Sequence, residues 1–190
     1  MDMNNIEVQL ALQCAPFIAG LKISNLLNVV LENEIMIRTF LRNAKLSYFC
    51  LLRTDSNVVF LLYHRERLER YLLEDEVCKL LAEEGYDVLN LERQLERLGR
   101  RYRRYMRERG RFPHEIGIFL GYPVADVRGF VRHKGKDFLY SGYWKVYDNP
   151  KETMKLFRNY EYIKEKIIWM LSIGVSMREI IKIYGETTGW

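Results

Sequence analysis

The stretch KLSYFCLLRTDSNVVFLLYH, residues 45–64, decides the fold class of this chain of 190 residues. Two runs rich in aromatic and β-branched residues are joined by the turn residues Asp55, Ser56 and Asn57, a pattern that predicts an antiparallel hairpin. Both runs are almost continuously apolar. We therefore expect the hairpin to be buried on both faces, which requires helices to cover it.

Segments with helical periodicity precede and follow the hairpin in the sequence. Ser24 is a predicted N-cap, and the apolar spacing that follows it predicts a helix to about Leu41. Further helices are predicted at about 66–84, 87–109, 150–173 and 176–185, and the segment SGYWKVYD, residues 141–148, favours a third strand. The sequence thus predicts a single α+β domain over residues 1–190, with a small antiparallel sheet (the hairpin plus one further strand) covered by a helical majority.

Cysteine usage and hydropathy exclude several classes of protein. The three cysteines are far apart and form no CxxC pair, which argues against a disulfide framework and a zinc site. The segment HEIGI has Ile118 where a zinc-protease helix needs its second histidine, so no metal is expected. The longest apolar region, residues 8–31, is interrupted by polar residues, so no membrane association is expected. We expect a cytoplasmic protein, and no motif identifies a cofactor.

The net charge of +5 is concentrated in one patch. Residues 97–111 hold eight arginines and a single acid, Glu108, while the rest of the chain has a slight excess of acids. The patch is typical of a solvated helix face. The alternative is a surface that binds nucleic-acid phosphates without reading sequence, through Arg100, Arg104 and Arg107.

The segment FPHEIGIFLGYPVADVRGF, residues 112–130, has the spacing of a helix-turn-helix. Gly117 occupies the small position where two crossed helices approach, and Gly121 occupies the turn. The early turns of the second helix offer Val124, Ala125 and Asp126, which are poor groups for reading bases. Packing explains this helix better, although a nucleic-acid-binding unit at 113–134 that uses Arg128 and Arg132 stays an alternative.

Three segments carry a resemblance to a known family: CAPFIAGLK (14–22), PHEIGIFLGYPVADVRGF (113–130) and GYWKVY (142–147). Together they resemble an uncharacterised family of small proteins from anaerobic bacteria, a domain of unknown function. Members often carry cysteines just before the Gly-Tyr-Trp-Lys segment, where this chain has Leu139, Tyr140 and Ser141. The resemblance implies a shared shape and a set of candidate residues, and it implies no reaction.

Two groups of candidate catalytic residues lie in these segments. Cys14 and Lys22 belong to a segment that Pro16 and Gly20 predict to be a shaped loop or short strand. Cys14 is a candidate nucleophile if a basic neighbour lowers its pKa, and otherwise a small buried thiol. His114 and Glu115 are a candidate general-base pair, which capping and packing explain equally well.

Candidate ligand-binding residues complete the set. Arg53 and His64 end the two hairpin strands, and we expect them to face each other at the open end of the sheet. Further along the chain, five residues are predicted to line an apolar cleft with one cation, suited to a flat or anionic ligand, or else to belong to the core: Tyr122, Tyr143, Trp144, Lys145 and Tyr147.

The leading hypothesis is a protein that binds a small molecule or cofactor, with cysteine or histidine chemistry as an option. Its cleft would combine the 14–22 loop, the His114 segment and the Trp144 strand. One alternative is a nucleic-acid binder that uses the arginine patch and the 113–134 unit. Another is a protein-interaction module whose helices dock on a partner, which an exposed apolar patch of several hundred Å² would favour.

Overall fold

The computed structural model describes residues 5–188 and has an α+β fold. Its helices and strands follow one another along the chain as α1 Ile6–Ile18, β1 Ser24–Val30, α2 Glu34–Asn43, β2 Ser47–Arg53, β3 Asn57–Tyr63, α3 Arg65–Leu72, α4 Asp75–Glu83, α5 Leu91–Glu108, α6 Ile116–Phe119, α7 Val124–Arg132, β4 Tyr140–Ser141, β5 Lys145–Val146, α8 Pro150–Ser172 and α9 Met177–Thr188.

The chain divides into two compact units. The described residues up to Arg65 and those from Tyr160 onward form the first unit, and Glu66–Asn159 form the second. The boundary near residue 160 falls inside α8, which contributes residues to both units.

The first unit contains a three-stranded antiparallel sheet in the order β1-β3-β2. β3 is central and pairs along its whole length with β1, from Ser24 opposite Tyr63 to Val30 opposite Asn57. The hairpin of β2 and β3 confirms the prediction, with a bulge in β2 between Cys50 and Leu52. Continuous apolar runs and a polar turn specify such a hairpin locally, which explains why it was predictable.

The prediction of a helix from Ser24 to about Leu41 is wrong for its first part. Residues 24–30 form strand β1, and the helix α2 begins only at Glu34. Leu27 and Val29 are buried while Asn28 and Val30 are exposed, which is the alternation of a strand. The third strand of the sheet is therefore β1 and not the 141–148 segment.

The prediction of a loop or short strand at 14–22 is also wrong for residues 14–18, which are the last turn of α1. Pro16 lies inside this helix although an interior proline costs about 3 kcal/mol or more. Cys14, Ala15, Phe17 and Ile18 are fully buried in the core of the unit, and that burial offsets the cost. Only residues 19–23 form the connection to β1.

The core of the first unit lies between the sheet, α1, α2, α9 and the part of α8 that belongs to this unit. α1 also closes the free edge of β1. The side-chain amide of Gln13 donates to the carbonyl of Asn28 at 2.9 Å and accepts from its N–H at 2.9 Å. At the edge of a sheet, backbone N–H and C=O groups normally have no partner strand. At Asn28 the side chain of Gln13 makes the hydrogen bonds that a neighbouring strand would make.

In the second unit, α6 and α7 are two short helices that contact each other and are separated by a turn at Gly121, as the 112–130 segment predicts. Gly121 occupies the turn with φ of 73°. A Cβ atom on Gly117 would lie only 2.8 Å from Val127 Cγ2, so the close approach requires glycine there. α6 has just 4 residues, and its Ile116, Ile118 and Phe119 are buried, which makes this pair a packed element of the unit.

The segment predicted as a third strand forms a small hairpin of its own. β4 and β5 pair with each other, Tyr140 opposite Val146 and Ser141 opposite Lys145. Gly142, Tyr143 and Trp144 form the three-residue turn between them. These two-residue strands pair with each other and do not join the three-stranded sheet.

The remaining helices follow the predictions with shifted bounds. The helix predicted at 66–84 is two helices, α3 and α4, and the helix predicted at 87–109 begins at Leu91. α9 begins with a capping box, in which Glu179 accepts from the backbone N–H of Ser176 at 2.9 Å and the Ser176 hydroxyl accepts from Glu179 N–H at 3.4 Å. Within residues 5–188, no helix combines the length and the apolar character that crossing a bilayer requires.

Candidate functional site

A pocket of about 360 Å³ lies in the second unit. Its walls come from two stretches of chain, residues 112–130 and the hairpin at 141–145. We call it the aromatic pocket, and its lining residues are Phe112, His114, Ile116, Gly117, Tyr122, Asp126, Val127, Phe130, Ser141, Gly142, Tyr143, Trp144 and Lys145.

Asp126 joins the two walls. Its side chain is 2 % exposed, and one oxygen accepts from the indole Nε1 of Trp144 at 2.7 Å. The other oxygen accepts from the backbone N–H groups of Tyr147 at 2.7 Å and Asp148 at 3.1 Å. A buried carboxylate with three donors is well compensated. Asp126 therefore anchors the hairpin against α7.

Aromatic contacts fix the orientation of Trp144. Its ring stacks on Tyr122 with centroids 4.6 Å apart and planes at 24°. It makes an edge-to-face contact with the ring of Phe157, with centroids 4.5 Å apart and planes at 89°. Burial raises the pKa of Tyr122 to about 12, so its hydroxyl is neutral at physiological pH. Together, the stacking and the hydrogen bond to Asp126 hold Trp144 as a rigid part of the wall.

Lys145 supplies the positive charge in the pocket. Its ammonium donates to the carbonyl of Gly135 at 2.7 Å. The same nitrogen lies 4.9 Å from the ring centroid of Phe138 and 5.8 Å from that of Phe130. These rings attract the cation through their faces but accept no strong hydrogen bond.

His114 lies on the opposite wall among aromatic rings. Its imidazole is 5.2 Å from the ring of Phe112 and 5.3 Å from that of Phe130, measured between centroids. Burial, and then the positive charge of Arg111, lower its pKa below the usual value. The ring is therefore neutral at pH 7 and offers the pocket one hydrogen-bond donor and one acceptor.

The comparison with protein families gives one match. Residues 10–181 match the family described as "Protein of unknown function (DUF3793)". The chain belongs to this family. No curated protein and no solved structure matches it. The aromatic pocket lies within the matched residues, and most of its wall comes from two of the segments that carried the resemblance, 113–130 and 142–147.

Glu115 points away from the aromatic pocket. It is 3 % exposed, accepts from the hydroxyl of Tyr86 at 2.8 Å and forms an ion pair with Arg101 at 2.9 Å. Arg101 also pairs with Glu84 at 2.7 Å. No hydrogen bond joins Glu115 to the ring of His114 among the described residues. This network favours the packing interpretation of Glu115 over the general-base pair.

Cys14 and Lys22 lie in the first unit and meet at Asn25. The amide nitrogen of Asn25 donates to the sulfur of Cys14 at 3.4 Å and to the carbonyls of Gln13 and Leu26, each at 2.7 Å. Its amide oxygen accepts from the ammonium of Lys22 at 2.8 Å. We call Cys14, Lys22 and Asn25 the Asn25 cluster.

Burial determines the ionisation of the Asn25 cluster. It raises the pKa of the Cys14 thiol to about 12 and lowers the pKa of Lys22 to about 8. A nucleophilic cysteine needs the opposite shift. The environment of Cys14 thus favours the buried-thiol interpretation. The predicted cleft would combine this cluster with residues of the second unit, and it stays a prediction.

The expectation that Arg53 and His64 face each other is wrong. In an antiparallel hairpin, the end of the first strand lies beside the start of the second, so Arg53 pairs with Val58 while His64 follows the far end of β3. Arg53 forms an ion pair with Glu34 at 2.8 Å. His64 is buried, stacks on Phe17 at 4.2 Å and lies 3.1 Å from its carbonyl through Nε2.

Tyr147 does not line the aromatic pocket. Its ring stacks on His133 at 5.5 Å between centroids and packs against Gly129. A Cβ atom on Gly129 would lie 2.5 Å from Tyr147 Cγ, so this glycine serves a close packing contact. Tyr147 is half-buried and packs outside the pocket, whereas Tyr122, Tyr143, Trp144 and Lys145 do line it.

The arginines of the nucleic-acid alternative are on the surface of the second unit. Arg100 and Arg104 are 64 % and 75 % exposed, and each has an acidic partner one turn away along α5. Arg107, Arg128 and Arg132 are also exposed. Two other arginines of the patch, Arg97 and Arg101, instead bind the carbonyl of Glu84 at the end of α4. The patch is thus partly structural.

Sequence reasoning missed the anchoring role of Asp126 and the contributions of Phe112 and Phe130. Asp126 lies in the first turn of α7, and from the sequence it was considered as a group for reading bases, for which it is poorly suited. The available signal was a lone acid on an otherwise apolar helix face, together with a tryptophan 18 residues later that needs an acceptor. Neither signal specifies the partner by itself.

Proposed function

We propose that this protein binds a small organic molecule in the aromatic pocket. The observation that carries the proposal is a cavity of about 360 Å³ whose wall combines five aromatic side chains with one lysine and one histidine. Small-molecule sites are typically apolar cavities of roughly 300–1,000 Å³ with a few convergent polar groups. The three free cysteines suit a reducing compartment, so we propose the cytosol as its location.

The proposal is for binding and does not include a reaction. The thiol of Cys14 has a raised pKa and belongs to the first unit, and Glu115 is engaged by Arg101 and Tyr86. Of the three predicted catalytic residues, only His114 lines the aromatic pocket. A neutral imidazole among rings is well suited to hydrogen bonding with a bound molecule.

A pocket-filling variant tests the proposal. Ser141 lines the pocket from the exposed strand β4, so Ser141→Phe would fill part of the cavity. Leu139→Phe is the matched control, since Leu139 is exposed and absent from the wall. We expect aromatic fragments to bind the wild type and the control by protein-observed NMR, and binding to weaken at least about 10-fold in Ser141→Phe. Equal binding by all three proteins, or no binding by the folded wild type, would refute the proposal.

A second candidate function is binding of nucleic-acid phosphates by α5. The supporting observation is that Arg100, Arg104 and Arg107 are exposed at spacings of four and three, which places them on one helix face. Replacing all three by glutamate should abolish retention on DNA or RNA at low salt. Retention that persists in this variant, or that is absent in the wild type, would remove this candidate.

A further inference from the structure

We propose that the aromatic pocket selects planar aromatic molecules that carry one oxyanion, with the ammonium of Lys145 binding the oxyanion. This inference rests on the proposed binding function and specifies its ligand class. Three observations carry it: the state of Lys145, the state of Asp126 and the arrangement of the rings.

The ammonium of Lys145 retains capacity for an anion. It has three protons, and one of them is used by the carbonyl of Gly135. No carboxylate among residues 5–188 forms an ion pair with it, and its other neighbours are the rings of Phe130 and Phe138. A lysine in a pocket that lacks a carboxylate partner gains most from an anionic ligand.

Lys145 is also held in place before any ligand binds. Its backbone pairs with Ser141 across the β4–β5 hairpin, and its side chain is tied to Gly135. Gly135 itself is buried with φ of 73°, and a Cβ atom there would lie 3.1 Å from Phe130. A cation fixed at both ends loses little side-chain entropy on binding, which increases affinity.

Asp126 does not make this a cation site. Its two oxygens already accept from Trp144, Tyr147 and Asp148, so little of their hydrogen-bonding capacity remains for a ligand. A ligand ammonium would also be repelled by Lys145. Asp126 thus holds the pocket wall together, while the ammonium of Lys145 is available to the ligand.

The rings favour a flat ligand. Tyr122 and Trp144 form a stacked pair across the two walls, and Phe112, His114 and Phe130 contribute further rings, with His114 tilted by 58° to Phe112 and by 49° to Phe130. Planar molecules gain the most contact area against such walls. His114 is neutral near pH 7, so it can hydrogen-bond to a ligand without adding a second charge.

Three probes that share one ring system test the inference: 2-naphthoate, 2-naphthamide and 2-naphthylmethylammonium. We expect the full-length wild type to bind the carboxylate about 10-fold more tightly than the amide, and the ammonium most weakly. Lys145→Met should reduce the carboxylate to the affinity of the amide, and Lys145→Arg should retain the preference. Lys136→Met is the control, because Lys136 is exposed and lies outside the pocket wall.

The neutral amide reports whether each variant is folded with an intact pocket. Equal binding of carboxylate and amide by the wild type would overturn the inference and leave the proposed function standing. Tightest binding of the ammonium would also overturn it. Failure of the folded wild type to bind any of the three would count against the proposed function itself.

Discussion

The Asn25 cluster and the aromatic pocket each contain a lysine, yet they use it differently. Lys22 is 6 % exposed and donates to Asn25, whose own groups are bound to Cys14 and to two backbone carbonyls. Lys145 donates to one carbonyl at the wall of a cavity. The difference teaches that a buried polar group marks a ligand site only when a cavity gives a ligand access to it.

The largest effect on stability is expected when Asn25, which contacts both Cys14 and Lys22, is replaced. Asn25→Ala removes donors to two partly buried carbonyls and a buried acceptor of the Lys22 ammonium, and should lower the free energy of unfolding by about 3 kcal/mol. Urea denaturation measures the change. Asn28→Ala on the same strand is the control and should change little, since its exposed side chain makes no comparable contacts. An Asn25→Ala variant as stable as the wild type would show that the hydrogen bonds of the Asn25 cluster do not stabilise the fold.

A smaller loss is expected from Trp144→Phe. The substitution retains an aromatic ring but leaves one oxygen of buried Asp126 without its indole donor, at a cost of about 2 kcal/mol. Trp169→Phe is a matched control, because Trp169 is 58 % exposed. Thermal unfolding of both variants would show the contrast. Equal losses would mean that Asp126 does not anchor the hairpin.

Gly117→Ala tests the close packing of α6 on α7. The added Cβ would lie 2.8 Å from Val127 and 3.2 Å from the ring of Tyr122, so we expect a loss of about 1.5 kcal/mol and weaker fragment binding. Gly110→Ala has no atom within 4 Å of the added Cβ and should be neutral or slightly stabilising. A stable Gly117→Ala with unchanged binding would contradict the packing described here.

The smallest expected effect is a pH dependence of stability that arises from Lys22. The folded-state pKa of Lys22 is lowered to about 8 from 10.5, so the unfolded chain binds more protons between these values, and stability rises with pH in that window. The free energy of unfolding of the wild type, minus that of Lys22→Met, should increase by about 1 kcal/mol from pH 7 to pH 9. A difference that stays flat between pH 7 and pH 9 would show that Lys22 is not desolvated.

The elements that were predictable from sequence are those with local signals. The β2–β3 hairpin, the glycine-hinged pair α6–α7 and the capping box of α9 depend on residues a few positions apart. β1 was mistaken for a helix because Leu26, Leu27, Val30 and Leu31 fit helical spacing as well as a strand. What decides in favour of the strand is pairing with β3, whose residues lie from 27 (Val30 to Asn57) to 39 (Ser24 to Tyr63) positions later in the chain.

The features of the candidate site also separate into those with local sequence signals and those that depend on tertiary contacts. Tyr122, Trp144 and Lys145 could be selected from sequence because aromatic residues and a lysine cluster in short segments. The link from Asp126 to Trp144 and the separate engagement of Glu115 by Arg101 could not be predicted, because both depend on how distant segments pack. The orientation of a side chain is a tertiary property.

The contacts of α1 with β1 have a consequence for how molecules of this protein behave at high concentration. Gln13 occupies both backbone groups of Asn28, while Cys14 and Asn25 donate to the carbonyl of Leu26. An unprotected margin of a sheet can recruit strands from other molecules and start aggregation. Here that margin is sealed by side chains of its own chain, so intermolecular strand addition along β1 would first have to break these hydrogen bonds.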